Sequence, residues 1–406
     1  RKYMIYCNRR QTSTVIYLVK AMNKINLNEN AEKILKEKFD LRDGLLGEYA
    51  TKDSDSIRKD DYVPRLFRRQ FIRDCEVVIN LPLFNRYAGK TQVFSLKDND
   101  DISTRAYHVQ LVSRVARTIG SALSLNCDLI EAIALAHDLG HCPFGHLGEK
   151  LLDNVAKKYD YRFFHHVQGA RYLNNIVKSD LSLQVIDGVL CHNGEKVLQR
   201  YAPNENSCKS FEDLQGKLNL AYSGKLNDDN LMASTLEGCL VRIADVIAYI
   251  GKDRQDAEKL KQVGFDAYAE NSLGKYNHEI IGNVSADIIN NSIGKRHIAM
   301  SDFVYEELCR LLNDNYKKIY TISSIDGYTK EDLQKIIDEV FSIVYADLKK
   351  DKTIINKYYR PYIYPNAKKV EEYFEENTAY PERVAIDMIA GMSDKYLLEF
   401  HKKFCK

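Results

Sequence analysis

Residues 134–149 read Ala134-Leu-Ala-His137-Asp138-Leu-Gly-His141-Cys-Pro-Phe-Gly-His146-Leu-Gly-Glu149, which sets three histidines and two carboxylates directly after an apolar segment. The apolar segment predicts a helix, and Gly140 and Pro143 predict that the helix is broken inside this stretch. Seven of the ten histidines of the chain lie between His108 and His192. Ionisable groups at this density are costly to bury unless a metal ion or an anion compensates them. The stretch therefore predicts a metal or anion site at a helix end.

The adjacent residues His137 and Asp138 offer one imidazole nitrogen and one carboxylate oxygen to the same ion. This donor set suits Mn, Fe, Co, Ni or Zn better than Ca. His141 lies one turn further along, but Gly140 ends the helix, so His141 is predicted to stand in a second layer behind the ligand pair. A single histidine is more often a surface residue or a satisfied core residue, and it is the cluster that favours a metal site.

Two further predicted helices carry ligand candidates. Apolar residues recurring every three or four positions predict a helix from Arg105, with His108 near its start. A later helix carries Asp245, Tyr249 and Asp253 at intervals of four residues, opposite an apolar stripe, and this face is either a solvated surface or a functional one. Two nitrogens and two carboxylates on one ion would leave positions for water and a phosphate oxygen. The four candidate ligands are His108, His137, Asp138 and Asp245.

Other polar side chains near these ligands predict contacts to a substrate. Arg105, one turn before His108, can hold a phosphate through its fork of donors. Gln92 offers a donor and an acceptor to a sugar hydroxyl, although a surface glutamine is equally compatible with the sequence. His146 precedes Glu149 by three residues, so the carboxylate can orient the imidazole for proton transfer.

The composition narrows the class of protein. With 406 residues, 45% of them hydrophobic, the chain can bury a large core. A net charge of +2 from 59 basic and 57 acidic residues gives no global case for nucleic acid or membrane binding. No apolar run approaches the length of about eighteen residues that a membrane span needs, so no membrane partner is expected. Nine cysteines without a Cys-x-x-Cys pair or a secretory leader predict reduced thiols and a cytoplasmic location.

Ordered sequence blocks extend the opening stretch over roughly residues 58–400. These blocks are Phe71-Ile-Arg73-Asp74, Phe84-Asn-Arg86, Lys90-Thr-Gln92-Val-Phe94, Thr104-Arg105-Ala-Tyr-His108, His137 to Glu149, Ile243-Ala-Asp245-Val-Ile-Ala-Tyr249 and Ile389-Ala-Gly-Met-Ser-Asp394-Lys-Tyr396. In this order they resemble the HD-domain phosphohydrolases, and specifically the dGTP triphosphohydrolase (dNTP triphosphohydrolase, dGTPase) family. A lone His-Asp pair is a weak signal, whereas the ordered set is specific.

The resemblance implies an all-α fold, the helical HD-domain phosphohydrolase fold with additional C-terminal helices. We predict an N-terminal extension over residues 1–57, a phosphohydrolase core over residues 58–260, and a C-terminal helical region over residues 261–406 packed on the core. Within the core, a segment rich in Asn, Ser, Lys, Asp and Gly predicts a loop insertion at about residues 193–235.

The resemblance also implies a reaction, which is hydrolysis of dGTP or other dNTPs to the deoxynucleoside and tripolyphosphate by attack at the α-phosphorus. The implied cofactor is a divalent metal such as Mn, Mg, Fe or Co. A tyrosine against the sugar would exclude a 2′-hydroxyl, and two polar groups would bind the 3′-hydroxyl. The implied site residues are the ligands His108, His137, Asp138 and Asp245, the catalytic residues His146, Glu149, Arg105 and His141, and the substrate-binding residues Gln92, His166, Tyr249 and Asp253.

Some members of the resembling family form tetramers or hexamers and respond to nucleotides or single-stranded DNA, so the resemblance implies a homo-oligomer for which such an effector is a candidate. One departure is Val246, where the family often has an acidic residue or a lysine. Among neighbouring histidines, the family pattern favours His166 over His165 as a pocket residue, and it leaves His192 open.

Two alternative functions remain at the level of sequence. One is another HD phosphohydrolase that acts on nucleoside monophosphates or signalling nucleotides, which the blocks at residues 90–94 and 389–396 disfavour. The other is a catalytically idle HD protein that binds nucleotide or single-stranded DNA and regulates a partner. The complete set of metal and proton-transfer candidates counts against the second alternative.

Overall fold

Helices supply nearly all of the regular structure in this chain, whose computed structural model describes residues 26–59, 65–97, 99–193, 197–204, 206–226, 231–268, 270–321, 324–363 and 367–405. Strands within these ranges are two residues long and form two antiparallel pairs, β1 (Arg200–Tyr201) with β2 (Ile298–Ala299) and β3 (Ser324–Ile325) with β4 (Tyr328–Thr329). The predicted all-α fold class is confirmed. Among the described residues, no helix combines the length and the apolar character needed to cross a bilayer.

Two compact units make up the chain, and the smaller unit comprises Arg1–Leu45 and Arg65–Phe67. It contains helix α1 (Glu29–Gly44). The Oδ1 atom of Asn28 accepts a hydrogen bond of 2.9 Å from the backbone N–H of Ala31. This N–H group lies in the first turn of the helix and has no acceptor within the helix, so Asn28 caps α1. The first 25 residues of the predicted N-terminal extension lie outside the described residues.

The larger unit comprises Leu46–Pro64 and Arg68–Lys406 and contains the other helices that the structure describes. Those before residue 200 are α2 (Gln70–Ile79), α3 (Pro82–Arg86), α4 (Arg105–Ala122), α5 (Cys127–Ala136), α6 (Gly145–Lys157), α7 (His165–Arg171) and α8 (Leu183–Cys191). Those after it are α9 (Phe211–Tyr222), α10 (Leu236–Lys259), α11 (Asn277–Ser292), α12 (Asp302–Asn315), α13 (Lys330–Leu348), α14 (Thr353–Tyr358), α15 (Ala367–Glu376), α16 (Pro381–Ala390) and α17 (Asp394–Phe404).

Short turns of tighter or wider helix connect or extend these elements. The 3₁₀ turns are Asp53–Asp55, Tyr87–Gly89, His137–Gly140, Phe265–Ala267 and Arg360–Tyr362, and the π turns are Tyr172–Ile176 and Tyr316–Tyr320. The π turns continue α7 and α12 directly.

Helices α4, α5 and α10 pack against one another at the centre of the larger unit. On α4 the residues Val109, Val112, Ala116 and Ile119 are buried, as their spacing of three or four residues predicts for one face of a helix. Helix α5 is apolar nearly all round, and its residues Leu129 to Ala136 are buried except for Glu131. The end of α5 is therefore surrounded by protein rather than by water.

Helix α10 buries both of its faces. The predicted apolar stripe of Leu240, Ile243, Ile247 and Ile250 is buried. On the other side Asp253 is also buried, and the side chain of Asp245 is only 14% exposed. The polar side of this helix is therefore not a solvated surface, and its charged groups need partners or a ligand.

Helix α9 lies inside the segment predicted to be a loop. Ser210 caps its start by accepting a hydrogen bond from the backbone N–H of Asp213, and Leu214, Leu218 and Ala221 are buried along one face. The sequence predicted a loop here because most residues of the segment are polar, although these three apolar residues at helical spacing form the buried face of α9. Residues 194–196, 205 and 227–230 of the predicted loop lie outside the described residues.

A buried ion pair ties α7 to α16. The Nη2 atom of Arg171 lies 2.7 Å from Oδ2 of Asp387, and the hydroxyl of Tyr373 donates to the same oxygen at 2.7 Å. Both charged side chains are almost inaccessible to solvent. Because α7 begins at His165, this pair fixes the helix that brings His165 towards the end of α5.

Candidate metal and catalytic centre

His137 and Asp138 follow the last residue of α5 and lie in a 3₁₀ turn, both buried. The Nδ1 atom of His137 lies 2.7 Å from the carbonyl oxygen of Ala134. A carbonyl only accepts, so Nδ1 carries the hydrogen and Nε2 carries a lone pair. In the described part of the chain, this buried Nε2 has no hydrogen-bond partner. An orphaned Nε2 that carries a lone pair fits a metal ligand whose other ring nitrogen is held by a second contact.

The four predicted metal ligands converge from α4, the turn after α5, and α10. Nε2 of His108 lies 2.9 Å from Oδ1 of Asp245 and 3.8 Å from Oδ2 of Asp138. Nε2 of His137 lies 3.5 Å from Oδ1 of Asp138 and 3.7 Å from Oδ1 of Asp245. Ligand atoms that each sit about 2 Å from one ion are separated by distances of this order. The mixed nitrogen and oxygen set therefore fits a divalent transition metal.

Both carboxylates of this set are held in their charged form. Burial alone would raise the pKa of Asp138, but the neighbouring His137 and the Arg105 guanidinium outweigh it and hold the pKa well below its usual value. Burial likewise opposes ionisation of Asp245, and the hydrogen bond from His108 lowers its pKa on balance. Two buried anions at one point attract a cation.

Arg105 makes a contact that the sequence did not predict. Its guanidinium donates to Oδ2 of Asp138, and both side chains are buried. Among the described residues, the Nε atom of Arg105 has no hydrogen-bond partner. The contact to a substrate phosphate stays a prediction, and in this structure the side chain neutralises a predicted metal ligand.

A second group of side chains forms around Glu149. Its Oε2 atom lies 3.3 Å from Nδ1 of His146 and 3.0 Å from Nδ1 of His165, and Oε1 accepts from the backbone N–H of His165 at 2.9 Å. Burial raises the pKa of Glu149, but the neighbouring histidines outweigh it and hold the pKa well below its usual value. Glu149 is buried, whereas the side chain of His146 is 58% exposed. The pair is therefore an imidazole open to solvent and backed by a buried carboxylate.

His141 touches both groups of residues. Its ring stacks on that of His165 with centroids 4.0 Å apart, and its Nε2 atom lies 3.3 Å from Oδ1 of Asp138. Burial and the charge of Arg105 lower its pKa well below the usual value, so this imidazole is neutral. The sequence predicted that His141 stands behind the ligand pair, and the structure places it in direct contact with Asp138.

The turn after α5 can approach α7 only because residue 140 is glycine. A Cβ atom on Gly140 would lie 2.0 Å from the carbonyl oxygen of His165 and 2.1 Å from the backbone nitrogen of Gly169. No side chain fits in that space. This close approach brings His165 beside the residues that follow α5.

Two blocks from distant parts of the chain clamp the loop between His141 and His146. The Nζ atom of Lys90 donates to the carbonyl oxygens of His141 and Ala390. Asp394 accepts from the backbone N–H of Phe144 and from the hydroxyl of Thr91, both at 3.0 Å. The blocks at residues 90–94 and 389–396 thus stabilise the conformation of the loop between His141 and His146.

The predicted substrate-binding residues lie around these groups with different partners. The ring of Tyr249 is 6.5 Å from that of His108. Asp253 accepts a hydrogen bond of 2.7 Å from the hydroxyl of Tyr320, and burial raises the pKa of Asp253 to about 7. Oε1 of Gln92 and both ring nitrogens of His166 are buried, and the described residues provide them with no hydrogen-bond partner.

Three residues of this centre were not in the set derived from the sequence, namely His165, His192 and Tyr320. The family pattern favoured His166, but it is His165 that contacts Glu149. Nε2 of His192 lies 3.2 Å from that of His165 and 3.8 Å from Oδ1 of Asp138. The concentration of histidines between residues 108 and 192 was the signal for His165 and His192, whereas nothing in the sequence pointed to Tyr320.

Comparison with known proteins agrees with this geometry. Residues 105–250, the range that contains the four predicted metal ligands, match the HD domain family, whose fold is helical. A deoxyguanosinetriphosphate triphosphohydrolase-like protein of Caldanaerobacter subterraneus subsp. tengcongensis is 33% identical, over 88% of this chain and 92% of the relative. The chain belongs to the family of deoxyguanosinetriphosphate triphosphohydrolase-like HD-domain proteins, as the sequence blocks predicted.

Other relatives carry the same description. The protein of Desulfatibacillum aliphaticivorans is 29% identical over 91% of this chain and 97% of its own length, and that of Rickettsia peacockii is 28% identical over 84% and 93%. A solved structure of a hypothetical protein from Aquifex aeolicus is 17% identical, covers 78% of this chain and 70% of its own, and has a TM-score of 0.35. The family supports a phosphohydrolase, and the histidine and aspartate cluster is able to hold a metal ion.

Proposed function

We propose that the protein is a divalent-metal-dependent dNTP triphosphohydrolase that hydrolyses dGTP to deoxyguanosine and tripolyphosphate. The observation that carries this proposal is the convergence of two imidazoles and two carboxylates beside an exposed His146 that is backed by Glu149. The names of the curated relatives support dGTP as the first substrate to test. The other dNTPs are the next substrates to test.

His108, His137, Asp138 and Asp245 would hold the metal ion. Their fit rests on the orphaned Nε2 of His137 and on the two ionised carboxylates. Bound there, a divalent ion polarises a phosphate oxygen and offsets the negative charge that develops on phosphoryl transfer. Mn, Mg, Fe and Co are the candidates.

His146 would act as the proton-transfer residue. Its Nδ1 atom faces the carboxylate of Glu149, which leaves Nε2 to exchange a proton with the 5′-oxygen of the departing deoxynucleoside. The carboxylate keeps the imidazole in one orientation and stabilises its protonated form. His141, neutral and adjacent to Asp138, would line the position of the phosphate chain.

The sugar would be recognised on the α10 side of the centre. We propose that Asp253 and Gln92 bind the 3′-hydroxyl, because Asp253 is a buried polar group and Oε1 of Gln92 has no partner among the described residues. Tyr249 would exclude a 2′-hydroxyl. Arg105 would bind a phosphate of the substrate. Because the Arg105 guanidinium already donates to Asp138, the phosphate must compete with that carboxylate. His166 would line the same pocket.

The proposed assembly follows from the family resemblance, and the proposed location follows from the cysteine usage of the chain. We propose a cytoplasmic homo-oligomer, a tetramer or a hexamer, whose activity responds to nucleotides or to single-stranded DNA. Mass photometry with and without each dNTP and a single-stranded oligonucleotide tests this proposal, and a monomer under all conditions would contradict it.

The reaction is tested by incubating the protein with each dNTP and Mn²⁺ or Mg²⁺ and separating tripolyphosphate from pyrophosphate. In water enriched in heavy oxygen, attack at the α-phosphorus places the label in tripolyphosphate. Release of pyrophosphate, or label in the deoxynucleoside, would contradict the proposed cleavage. Activity only on nucleoside monophosphates would favour the alternative HD phosphohydrolase, and binding without turnover would favour the idle regulator.

A further inference from the structure

A buried carboxylate from the C-terminal part of the chain contacts the loop that precedes the proton-transfer candidate His146. Oδ1 of Asp394, the first residue of α17, accepts a hydrogen bond of 3.0 Å from the backbone N–H of Phe144. The two residues are 250 positions apart in the sequence. Because Asp394 is buried, little water competes for this contact.

The backbone of Phe144 adopts a conformation that depends on its surroundings. Its φ angle is 66°, in the left-handed region that residues with a side chain rarely occupy unless neighbouring groups hold them there. Phe144 directly precedes α6, and its carbonyl oxygen accepts from the backbone N–H of Gly148 in the first turn of that helix. His146 is the second residue of α6. The conformation of Phe144 therefore sets the direction in which α6 presents His146 beside Glu149.

The second oxygen of the same carboxylate is anchored near the start of α4. Oδ2 of Asp394 accepts a hydrogen bond of 3.0 Å from the hydroxyl of Thr91. Thr91 forms an antiparallel β-bridge with Thr104, the residue directly before α4. Helix α4 carries His108, one of the proposed metal ligands. Asp394 thus connects the loop that leads to His146 with the beginning of a helix that would hold the metal ion.

We propose that Asp394 is a positioning residue for proton transfer, which holds the left-handed backbone of Phe144 and thereby places His146 relative to α4. A misplacement of about 1 Å can lower the rate of an enzyme by about a hundredfold. Among the described residues, Asp394 makes its side-chain hydrogen bonds with Phe144 and Thr91. Neither is a proposed ligand or proton-transfer residue, so the effect of Asp394 on turnover passes through His146. This inference rests on the proposed function.

The contacts of Asp394, rather than its charge, should decide the effect. The hydroxyl of Thr91 has one hydrogen, and its oxygen also lies 2.7 Å from the hydroxyl of Ser95. In Asp394→Asn, the amide oxygen can still accept from the backbone N–H of Phe144. The amide nitrogen can donate to Thr91 once the Thr91 hydroxyl turns its hydrogen towards Ser95. Asp394→Asn therefore keeps both contacts without the negative charge, whereas Asp394→Ala loses both.

The test measures kcat with dGTP together with metal content and the melting temperature. Asp394→Ala should lower kcat by about a hundredfold while metal content stays normal, and Asp394→Asn should keep most of the turnover. The double variant of Asp394→Ala and His146→Ala should turn over as fast as His146→Ala alone, because the effects of residues that act as a unit do not add. If Asp394→Ala does not fold, Thr91→Val, which removes one of the two contacts, should show the same non-additive loss.

Asp302→Ala is the matched control for this set. Asp302 is also the first residue of a helix, α12, and also follows a serine at the N-cap, but it is exposed where Asp394 is buried. Its loss should leave kcat at the wild-type value. This control separates the contacts of Asp394 from the general effect of an acidic residue at a helix start.

A second readout does not depend on turnover. In Mg²⁺-loaded protein with labelled histidines, the NMR signal of the His146 ring is identified by its loss in His146→Ala. This signal should shift in Asp394→Ala and keep its wild-type position in Asp394→Asn and Asp302→Ala. The comparison reports the surroundings of the ring directly, so it remains informative for any reaction that the protein catalyses.

Several results would overturn the inference. They are wild-type turnover in Asp394→Ala, an unchanged His146 signal in that variant, additive losses in the double variant, and loss of metal from Asp394→Ala. Equal losses in Asp394→Asn and Asp394→Ala would show that the charge matters instead of the contacts. A wild-type chain without dNTP turnover would contradict the proposed function, and the NMR comparison would then still decide whether Asp394 positions His146.

Discussion

Nε2 of His108 lies 2.9 Å from Oδ1 of Asp245, which joins α4 to α10 at the centre of the site. The two residues are far apart in the chain, and neither belongs to the stretch that contains His137 and Asp138. The contact brings ligand candidates from α4 and α10 into one donor set. It also means that each carboxylate in the set has an imidazole neighbour, as a metal centre of mixed donors requires.

We expect His137→Ala to lose the metal ion of the proposed ligand set, because the change removes the Nε2 atom that has no other partner among the described residues. Asp245→Asn should weaken binding for lack of an anionic oxygen. Metal content after dialysis checks both, with His278→Ala as an exposed control. Full metal content and full activity in His137→Ala would show that the ligand assignment is wrong.

His146→Ala should lower turnover by about a hundredfold or more, the usual scale for a lost general acid or base, while metal content stays normal. The side chain is 58% exposed and its recorded ion-pair contact is to Glu149, so the fold should be unaffected. Lys150→Ala, an exposed neighbour on α6, is the matched control and should keep wild-type turnover. Loss of metal in His146→Ala would instead make this histidine a ligand.

The stability of the metal-free protein should depend on pH through Asp253, because burial raises the pKa of this carboxyl group from its ordinary value of 3.8 to about 7. The folded protein holds this proton at pH values where the unfolded chain has lost it. This contribution to stability is therefore present below about pH 4 and declines as pH rises to about 7. At about 1.4 kcal/mol per unit, the full loss is at most about 4 kcal/mol.

Asp253→Asn should remove this decline, and Tyr320→Phe should extend it to higher pH, because the hydroxyl of Tyr320 lowers the pKa of Asp253. Urea unfolding between pH 5 and pH 8 measures both effects. Parallel pH profiles for wild type and Asp253→Asn would show that Asp253 is ionised throughout the range.

The buried pair of Arg171 and Asp387 should be important for stability. Asp387→Asn leaves a buried guanidinium without its counter-charge, which costs about 3 to 5 kcal/mol. The surface pair of Lys158 and Asp338, 2.9 Å apart and solvent-exposed, is the matched control, and Asp338→Asn should cost less than about 1 kcal/mol. Equal midpoints of urea unfolding for the two variants would contradict this difference.

Tyr249→Ala should relax the discrimination between dGTP and GTP, if the ring excludes a 2′-hydroxyl. The ring is within 6.5 Å of those of His108 and Tyr320, close to the metal ligands and to Asp253. Turnover of dGTP and GTP, measured together with the melting temperature, separates this role from packing. An unchanged preference in a less stable protein would reject the exclusion of the 2′-hydroxyl.

The local features of this protein could be predicted from the amino-acid sequence. Side-chain periodicity determines the buried face of α4 and the apolar stripe of α10. The backbone preferences of glycine and proline predicted that the helix is broken within residues 134–149, and α5 ends at Ala136. The order of the sequence blocks predicted the family, and the all-α class followed from it. These properties act over a few residues, so neighbouring positions carry enough information.

The partners of the charged groups were decided only by the tertiary structure. Arg105 donates to Asp138, His165 faces His192, and Tyr320 donates to Asp253, and each pair comes from segments far apart in the chain. Periodicity indicates which side of a helix is buried, but not which other helix covers it. In a core that excludes water, each ionisable group depends on the groups packed against it, and that packing depends on how all the helices fit together.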